Sequence, residues 1–375
     1  MRRRLDNVYR LGVKELWSLG REPMMLALIV YTFTVAVYTA ATGVPEPLHH
    51  VPIAIADGDG SALSARIAAA FQRPRFIPPV HVTEAEIDAG LDAGAYTFVL
   101  DVPPHFQRDV LAGRAPRLQL DVDATRMSQA FTGSGFVQQV VMGEIGEFVQ
   151  RHRGFPAQPV ELALRARFNP ALEQAWFGSV MEVVGHVTML SIILTGAALL
   201  REREHGTIEH LLVMPVTPAE IMLAKVWSMG LVVLVAAALS LQLIVRGALR
   251  VPIEGSIALF LVGTALHLFA TTSMGIFMAT LARSMPQLGL LVLLVLLPLQ
   301  MLSGGMTPRE SMPRLVRDLM LLAPTTHYTE LSQAILYRGA GLDVVWRAFA
   351  ALLGTGALLF AVSLARFRKA IGQLA

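Results

Sequence analysis

Two clusters of polar residues interrupt an otherwise apolar sequence, and both have the types and spacing to transfer force or hold a solute. The first is Arg201–Lys225, REREHGTIEHLLVMPVTPAEIMLAK, between two long apolar segments. Arg201, Glu202, Arg203 and Glu204 stand in a row at an expected membrane exit, where alternating signs can pair locally or be solvated. Gly206 and Thr207 permit a turn and a new helix start. Ile208–Met214, which contains Glu209, reads as a short helix with one apolar face. Pro215 stops it. Thr217-Pro218-Ala219-Glu220 is a capping box with proline at the first helical position, so another helix begins there and carries Lys225 inward. A short helix held between two membrane helices and parallel to the membrane has the geometry of a mechanical coupler.

The second cluster lies inside apolar runs, where polar groups are costly and therefore informative. Glu182 and His186 are four apart, on one helix face. Gln300 and Ser303 lie beside Pro298 and the Gly304-Gly305 pair, and His267, Thr271, Thr272 and Ser273 share another run. Glu182, His186, Gln300 and Ser303 could line a translocation path. Glu182 and His186 could equally sit at the outer interface just past Trp176, and the hydroxyl-rich run suits close helix packing. The 17 methionines fit varied apolar cargo and ordinary core filling alike.

Other chemistry is excluded by what is missing. With no cysteine there is no thiol nucleophile, disulfide or Cys-zinc site. The lysines Lys14, Lys225 and Lys369 follow Val13, Ala224 and Arg368, so no phosphate-binding Gly-Lys occurs and ATP hydrolysis by this chain is not expected. His205 and His210 stand beside Glu204 and Glu209, but their five-residue spacing does not stack them on one helix face, and no H-E-x-x-H occurs. No metal site, bound cofactor or catalytic constellation is expected.

The elements that must position these residues follow from composition. The 375 residues are 54% hydrophobic and 16% charged, with mean hydropathy +0.54, against about 25% charged in a soluble domain. This is the balance of an α-helical membrane protein. The net charge of +3, without arginines clustered among aromatics, gives no sign of a nucleic-acid partner.

Six spans are expected, near Met24–Gly43, Phe177–Leu200, Ile221–Val245, Ser256–Leu281, Gln287–Met306 and Val344–Ala365. The first exceeds the apolar stretch of a signal peptide and no A-x-A-like site follows, so it is expected to remain in the chain. Lys and Arg near span ends favour both termini in the cytoplasm: Arg2, Arg3, Arg4, Arg10, Lys14, Arg21, Arg201, Arg203, Lys225, Arg283, Arg366, Arg368 and Lys369 fall inside. Arg246, Arg250, Arg309, Arg314, Arg317, Arg338 and Arg347 fall outside.

Leu5, Val8, Tyr9, Val13, Leu16 and Trp17 recur at helical spacing, as in an amphipathic helix on the cytoplasmic leaflet or an ordinary helix packed on the bundle. Between the first two spans, about Val44–Gln174 is too polar for membrane and too long for a loop. Strands are expected at Val51–Asp57, Tyr96–Val102 and Arg117–Asp123, with helices at Ser61–Phe71, Glu84–Ala93 and Ser128–Arg153. The alternation predicts a small α/β domain outside the cytoplasm. The expected organisation is therefore an amphipathic helix over 1–23, the first span over 24–43, the α/β domain over 44–174, and a five-span core over 175–375.

Six stretches together resemble type-2 ABC permeases along essentially the whole chain. The signature segment is Arg201–Lys225, where a charged helix end runs into Gly-Thr-x-Glu, a Leu pair, Pro, and Glu before Lys. RFNPALEQAWF (Arg167–Phe177) resembles that family's Phe-Asn-Pro approach to the second span. LQMLSGGMTPRESMP (Leu299–Pro313) resembles its outer segment after the fifth, and LAPTTHYTELSQAILYRGAG (Leu322–Gly341) the stretch before the last. VPIAIADGDGSALS (Val51–Ser64), with DVPPHFQRDVLAGR (Asp101–Arg114), resembles the outer domain of the drug-efflux-like branch.

The resemblance implies a multi-pass permease of a bacterial inner membrane. It would be half of an ABC exporter for hydrophobic or amphiphilic compounds, paired with a second identical or related half. ATP and Mg²⁺ would bind a partner cytoplasmic ABC ATPase, and a periplasmic membrane-fusion adaptor is typical of the branch. Residues 206–214 would be the coupling helix, and 1–23 the connecting helix. Arg201, Glu202, Arg203, Glu204, Gly206, Thr207, Glu209, Pro215, Glu220 and Lys225 would form the ATPase-coupling segment, its glutamates transmitting or anchoring the movement. Two alternatives stay open: a mechanotransmission permease that drives a periplasmic partner, disfavoured by six spans, and a proton-coupled secondary transporter using Glu182 and His186, disfavoured by the lack of an inverted hydropathy repeat.

Overall fold

The computed structural model describes residues 2–43, 50–123, 125, 127–153, 174–204, 206, 215–305, 307 and 309–372. The expected coupling helix, apart from Gly206, lies outside the described residues, and so do Thr207, Glu209, His205 and His210. The chain divides into two compact units, Met1–Val44 with Ala166–Ala375, and Pro45–Arg165.

The first unit begins with α1 (Arg2–Gly20). Next comes α2 (Pro23–Gly43), in which Thr32–Ala36 winds as a π-helix. Pro23 sits at the first helical position, where its missing N–H costs nothing.

The second unit contains β1 (Ile53–Asp57), α3 (Ala62–Ala70), β2 (Val80–Val82), α4 (Ile87–Asp92), β3 (Phe98–Val102), α5 (Phe106–Leu111), β4 (Gln119–Val122) and α6 (Met127–Arg153). The sheet order is β2-β1-β3-β4, parallel except for the antiparallel β3–β4 pair. β1 reads Ile-Ala-Ile-Ala because both of its faces are covered. One face packs Ile53, Ile55, Phe98 and Leu100 with Phe71, Phe76 and Val137. Asp57 ends β1 as a turn-former: its Oδ1 accepts from the Asp59 and Gly60 amides at 3.0 and 2.9 Å, and its Oδ2 from Ser64 Oγ at 2.7 Å. Sequence reasoning missed β2, short and preceded by Pro78-Pro79, and the one-and-a-half-turn α5.

The first unit resumes with α7 (Gln174–Glu204), α8 (Pro218–Leu239, continuing as a π-helix to Ala248), α9 (Ile257–Leu281), α10 (Met285–Met301), α11 (Arg314–Met320), α12 (Pro324–Leu336) and α13 (Leu342–Gly372). Among the described residues, five helices are long and apolar enough to cross a membrane: α2, α7, α8 with its π extension, α9 and α13. The chain is thus an α-helical protein built to pass a membrane several times.

α10 is apolar but has 17 residues, about 25 Å at 1.5 Å per residue against a core of roughly 30 Å. The span expected over Gln287–Met306 therefore stops short. Pro298 offers no N–H to the preceding turn, and the helix ends before Gly304, whose φ is +98°.

α7 and α9 form the centre of the unit. They approach closely because a Cβ on Gly275 would stand 2.6 Å from the Ile192 carbonyl oxygen, a position only glycine fills. Beside that approach the buried hydroxyls link the two helices. Ser191 Oγ donates to Thr271 Oγ1 at 2.7 Å, and Thr188 Oγ1 lies 2.8 Å from His267 Nε2. His267 in turn stacks on Tyr328 of α12 at 4.0 Å between ring centroids. The hydroxyl-rich run of the fourth apolar segment is packing material.

Candidate functional site

The charged end of α7 reaches a separate element with each of its residues. Arg201 pairs with Glu22, just ahead of α2. Glu202 meets Lys14 of α1 at 2.9 Å and Lys225 of α8 at 2.7 Å. Arg203 Nη1 donates to the Ala282 carbonyl at the end of α9, 3.1 Å away. Glu204 Oε1 accepts from the Met285 amide at 3.0 Å, satisfying one orphan N–H at the start of α10 and placing a negative charge at that helix's positive end. Local pairing, allowed by the alternating signs, is not what these contacts show: their partners lie on other helices.

The capping box at Thr217 forms as its residues require. The Thr217 amide donates to Glu220 Oε2 at 2.7 Å, and the Glu220 amide to Thr217 Oγ1 at 3.3 Å. Glu220 is 5% exposed. Pro215 precedes this cap at an exposed bend, and Gly206 adopts φ +67°, which favours glycine.

Lys225 is buried two turns into α8, and its ammonium also lies 2.9 Å from Glu15 Oε1 of α1. Glu15 was absent from the residues singled out in the sequence, although a lysine inside an apolar helix signals that a carboxylate must reach it. α1 comes close enough because Gly12 faces Trp227, where a Cβ would stand 2.2 Å from the indole ring. Trp227 Nε1 donates to the Val8 carbonyl at 3.1 Å. Val8, Gly12 and Glu15 thus form the face of α1 turned to α8, where the exposed Tyr9 also stacks on Trp227 with ring centroids 6.1 Å apart, while Leu5 and Trp17 form an exposed apolar face. Packing on the bundle and amphipathic character coexist in one helix.

At the other end of α7, Glu182, Gln300 and Ser303 line a cavity of about 450 Å³ bounded by α7, the end of α10, α12 and the end of α2. Gln300 Nε2 donates to the Gly185 carbonyl at 3.3 Å, and Ser303 Oγ to the Gln300 carbonyl at 3.0 Å, so both are held on the wall. His186 does not line the cavity. It stands behind Glu182, with Nε2 3.5 Å from Oε2 and the edge of its ring against Phe33. Thr325, not foreseen from the sequence, lines the cavity from α12.

Residues 23–365 match the family described as ABC-2 family transporter protein. The chain is 62% identical to "Inner membrane transport permease YhhJ" of Escherichia coli K12 over 373 residues, covering the whole of both. It is 27% identical over 362 residues to "Probable multidrug ABC transporter permease YbhR" of the same organism, covering 96% of this chain and 97% of that one. "ABC transporter G family member 20" of Dictyostelium discoideum is 27% identical over 165 residues, 44% of this chain and 22% of the relative.

Proposed function

The chain belongs to the ABC-2 family of transporter proteins, and on that premise we propose that it is the membrane-spanning half of an ABC exporter in a bacterial inner membrane. Two such halves, identical or related, would pair and be driven by a cytoplasmic ABC ATPase that binds ATP and Mg²⁺ and performs the hydrolysis. A periplasmic membrane-fusion adaptor would receive the cargo. In this reading both termini are cytoplasmic, α10 makes a sixth crossing, and the α/β unit is extracytoplasmic. Residues 1–23 serve as the connecting helix, and 206–214, with Thr207 and Glu209, as the coupling helix. The cargo is hydrophobic or amphiphilic and passes the cavity bearing Glu182, Gln300 and Ser303, a reading supported by the names "transport permease" and "multidrug" of the relatives.

The observation that carries the reading is the reach of Arg201–Glu204. These four residues contact the ends or flanks of α1, α2, α8, α9 and α10. A displacement delivered to the segment after Glu204 would therefore be shared across the bundle, which suits a chain driven by a separate engine. The test is ATPase activity of the chain copurified with its ATPase. Glu204→Lys inverts the charge at the start of α10, and Pro215→Ala relaxes the stop before the cap. Both variants are expected to insert normally and to lose drug-stimulated hydrolysis. Normal stimulation in both would sink the proposal.

A further inference from the structure

Resting on the reading of the Glu182 cavity as the cargo path, we infer that its ligand is a lipophilic monocation, with Glu182 as the counter-charge. A volume of about 450 Å³ falls within the range of about 300–1,000 Å³ typical of small-molecule sites. Glu182 is the one ionisable side chain lining it; the rest of the wall is apolar, hydroxyl or amide. Glu182 lines the cavity, and its side chain is 44% exposed. Among the described residues no Lys or Arg lies within ion-pair distance of it, and its nearest basic neighbour is His186 at 3.5 Å. By contrast, every carboxylate of the α7 end has a basic group or an amide in contact.

A carboxylate on the wall of a cavity among helices of membrane-spanning length is costly without a charged partner. An anionic solute would be repelled by it. A neutral solute would strip its water and return nothing. A cation compensates it directly. Phe177 and Met181 supply a ring and a thioether, surfaces that accept a soft organic cation. Thr325 is 4% exposed, and its Oγ1 has no hydrogen-bond partner among the described residues. A buried hydroxyl left in this state on a cavity wall is a ready contact for a solute, since an unmet polar group is itself unfavourable.

The experiment measures equilibrium binding to the purified full-length chain in detergent, with three probes of similar bulk: tetraphenylphosphonium (cation), tetraphenylborate (anion) and triphenylphosphine oxide (neutral). Tetraphenylphosphonium is expected to bind at least about tenfold more tightly than the other two. Glu182→Gln should weaken the cation at least about tenfold and leave the neutral probe unchanged, with Glu182→Asp within about threefold of the parent. Gly185→Leu, whose Cβ would stand 3.5 Å from Gln300 Nε2, should block all three by filling the cavity. Elution as a single species shows that each variant is folded. Equal binding of the anion, or cation binding unchanged in Glu182→Gln yet lost in Gly185→Leu, overturns the charge preference and leaves the path reading standing. Binding that survives both variants, or no binding by any probe, overturns the path reading itself.

Discussion

Lys225 Nζ lies 2.7 Å from Glu202 Oε2, joining α8 to the last turn of α7 at a point where Lys225 is 1% exposed. Glu15 at 2.9 Å from the same nitrogen, and Lys14 at 2.9 Å from Glu202, complete a set of two ammonium groups and two carboxylates with no net charge. Burial lifts the Glu15 carboxyl above its ordinary value; attraction to Lys225 opposes that rise and the neighbouring Glu202 adds to it. The set fastens the N-terminal helix α1 to α8 and to the last turn of α7, so its worth lies in fixing their arrangement more than in raw stability.

Removing one member should therefore hurt more than removing a balanced pair. Lys225→Met leaves the buried Glu15 and the partly buried Glu202 facing Lys14 alone, and the cost is expected to be about 3–5 kcal/mol. Adding Glu15→Gln restores zero net charge and should recover part of the loss. Thermal unfolding of the detergent-solubilised variants measures both. A melting temperature for Lys225→Met equal to the parent's would mean that the cluster is not holding α1 in place.

The contact of α1 with α8 should tolerate no side chain at position 12. Gly12→Ala places a methyl inside the Trp227 ring volume, an overpacking expected to cost about 1–3 kcal/mol. The penalty should shrink in a Trp227→Ala background, giving a measurable coupling between the two sites. Identical penalties in both backgrounds would contradict the packing.

The close approach of α7 and α9 predicts a sharp contrast between two glycines. Gly275→Ala meets the Ile192 carbonyl, which cannot swing aside as a side chain can, and should lower the melting temperature. Gly354→Ala in α13 meets nothing within 4 Å, and should be neutral or stabilise by about 0.5–1 kcal/mol, as alanine does in an open helix position. Similar melting of the two variants would count against the approach.

Whether the short α10 crosses the membrane is open to reporter fusions. In the proposed topology a fusion at Pro252 reports the periplasm, one at Met285 the cytoplasm, and one at Arg314 the periplasm again. Arg314 and Met285 reporting the same side would show that α10 does not cross, leaving five crossings and placing the C-terminus opposite the N-terminus.

Features encoded by neighbours in the chain were legible in the sequence. The long apolar runs announced α2, α7, α8, α9 and α13, because a helix that faces lipid must be apolar along its length. Thr217-Pro218-Ala219-Glu220 announced its own cap, since both hydrogen bonds close within four residues. β2 was hidden because three residues beside two prolines carry no periodicity, and the end of α10 because a run of leucines continues to the proline that weakens it.

What the tertiary structure alone decided is who meets whom. Glu15 and Lys225 are 210 positions apart, and Lys14 and Glu202 are 188 apart. Nothing in either local pattern distinguishes those pairings from solvated charges. The same holds for Glu182, which the sequence grouped with His186 by helical spacing. Packing of α7 against α10 and α12 turned Glu182 to a cavity with Gln300, Ser303 and Thr325, and left His186 behind it. Sequence determines which residues are too polar for their surroundings; only the packed helices determine which partner, or which cavity, resolves each of them.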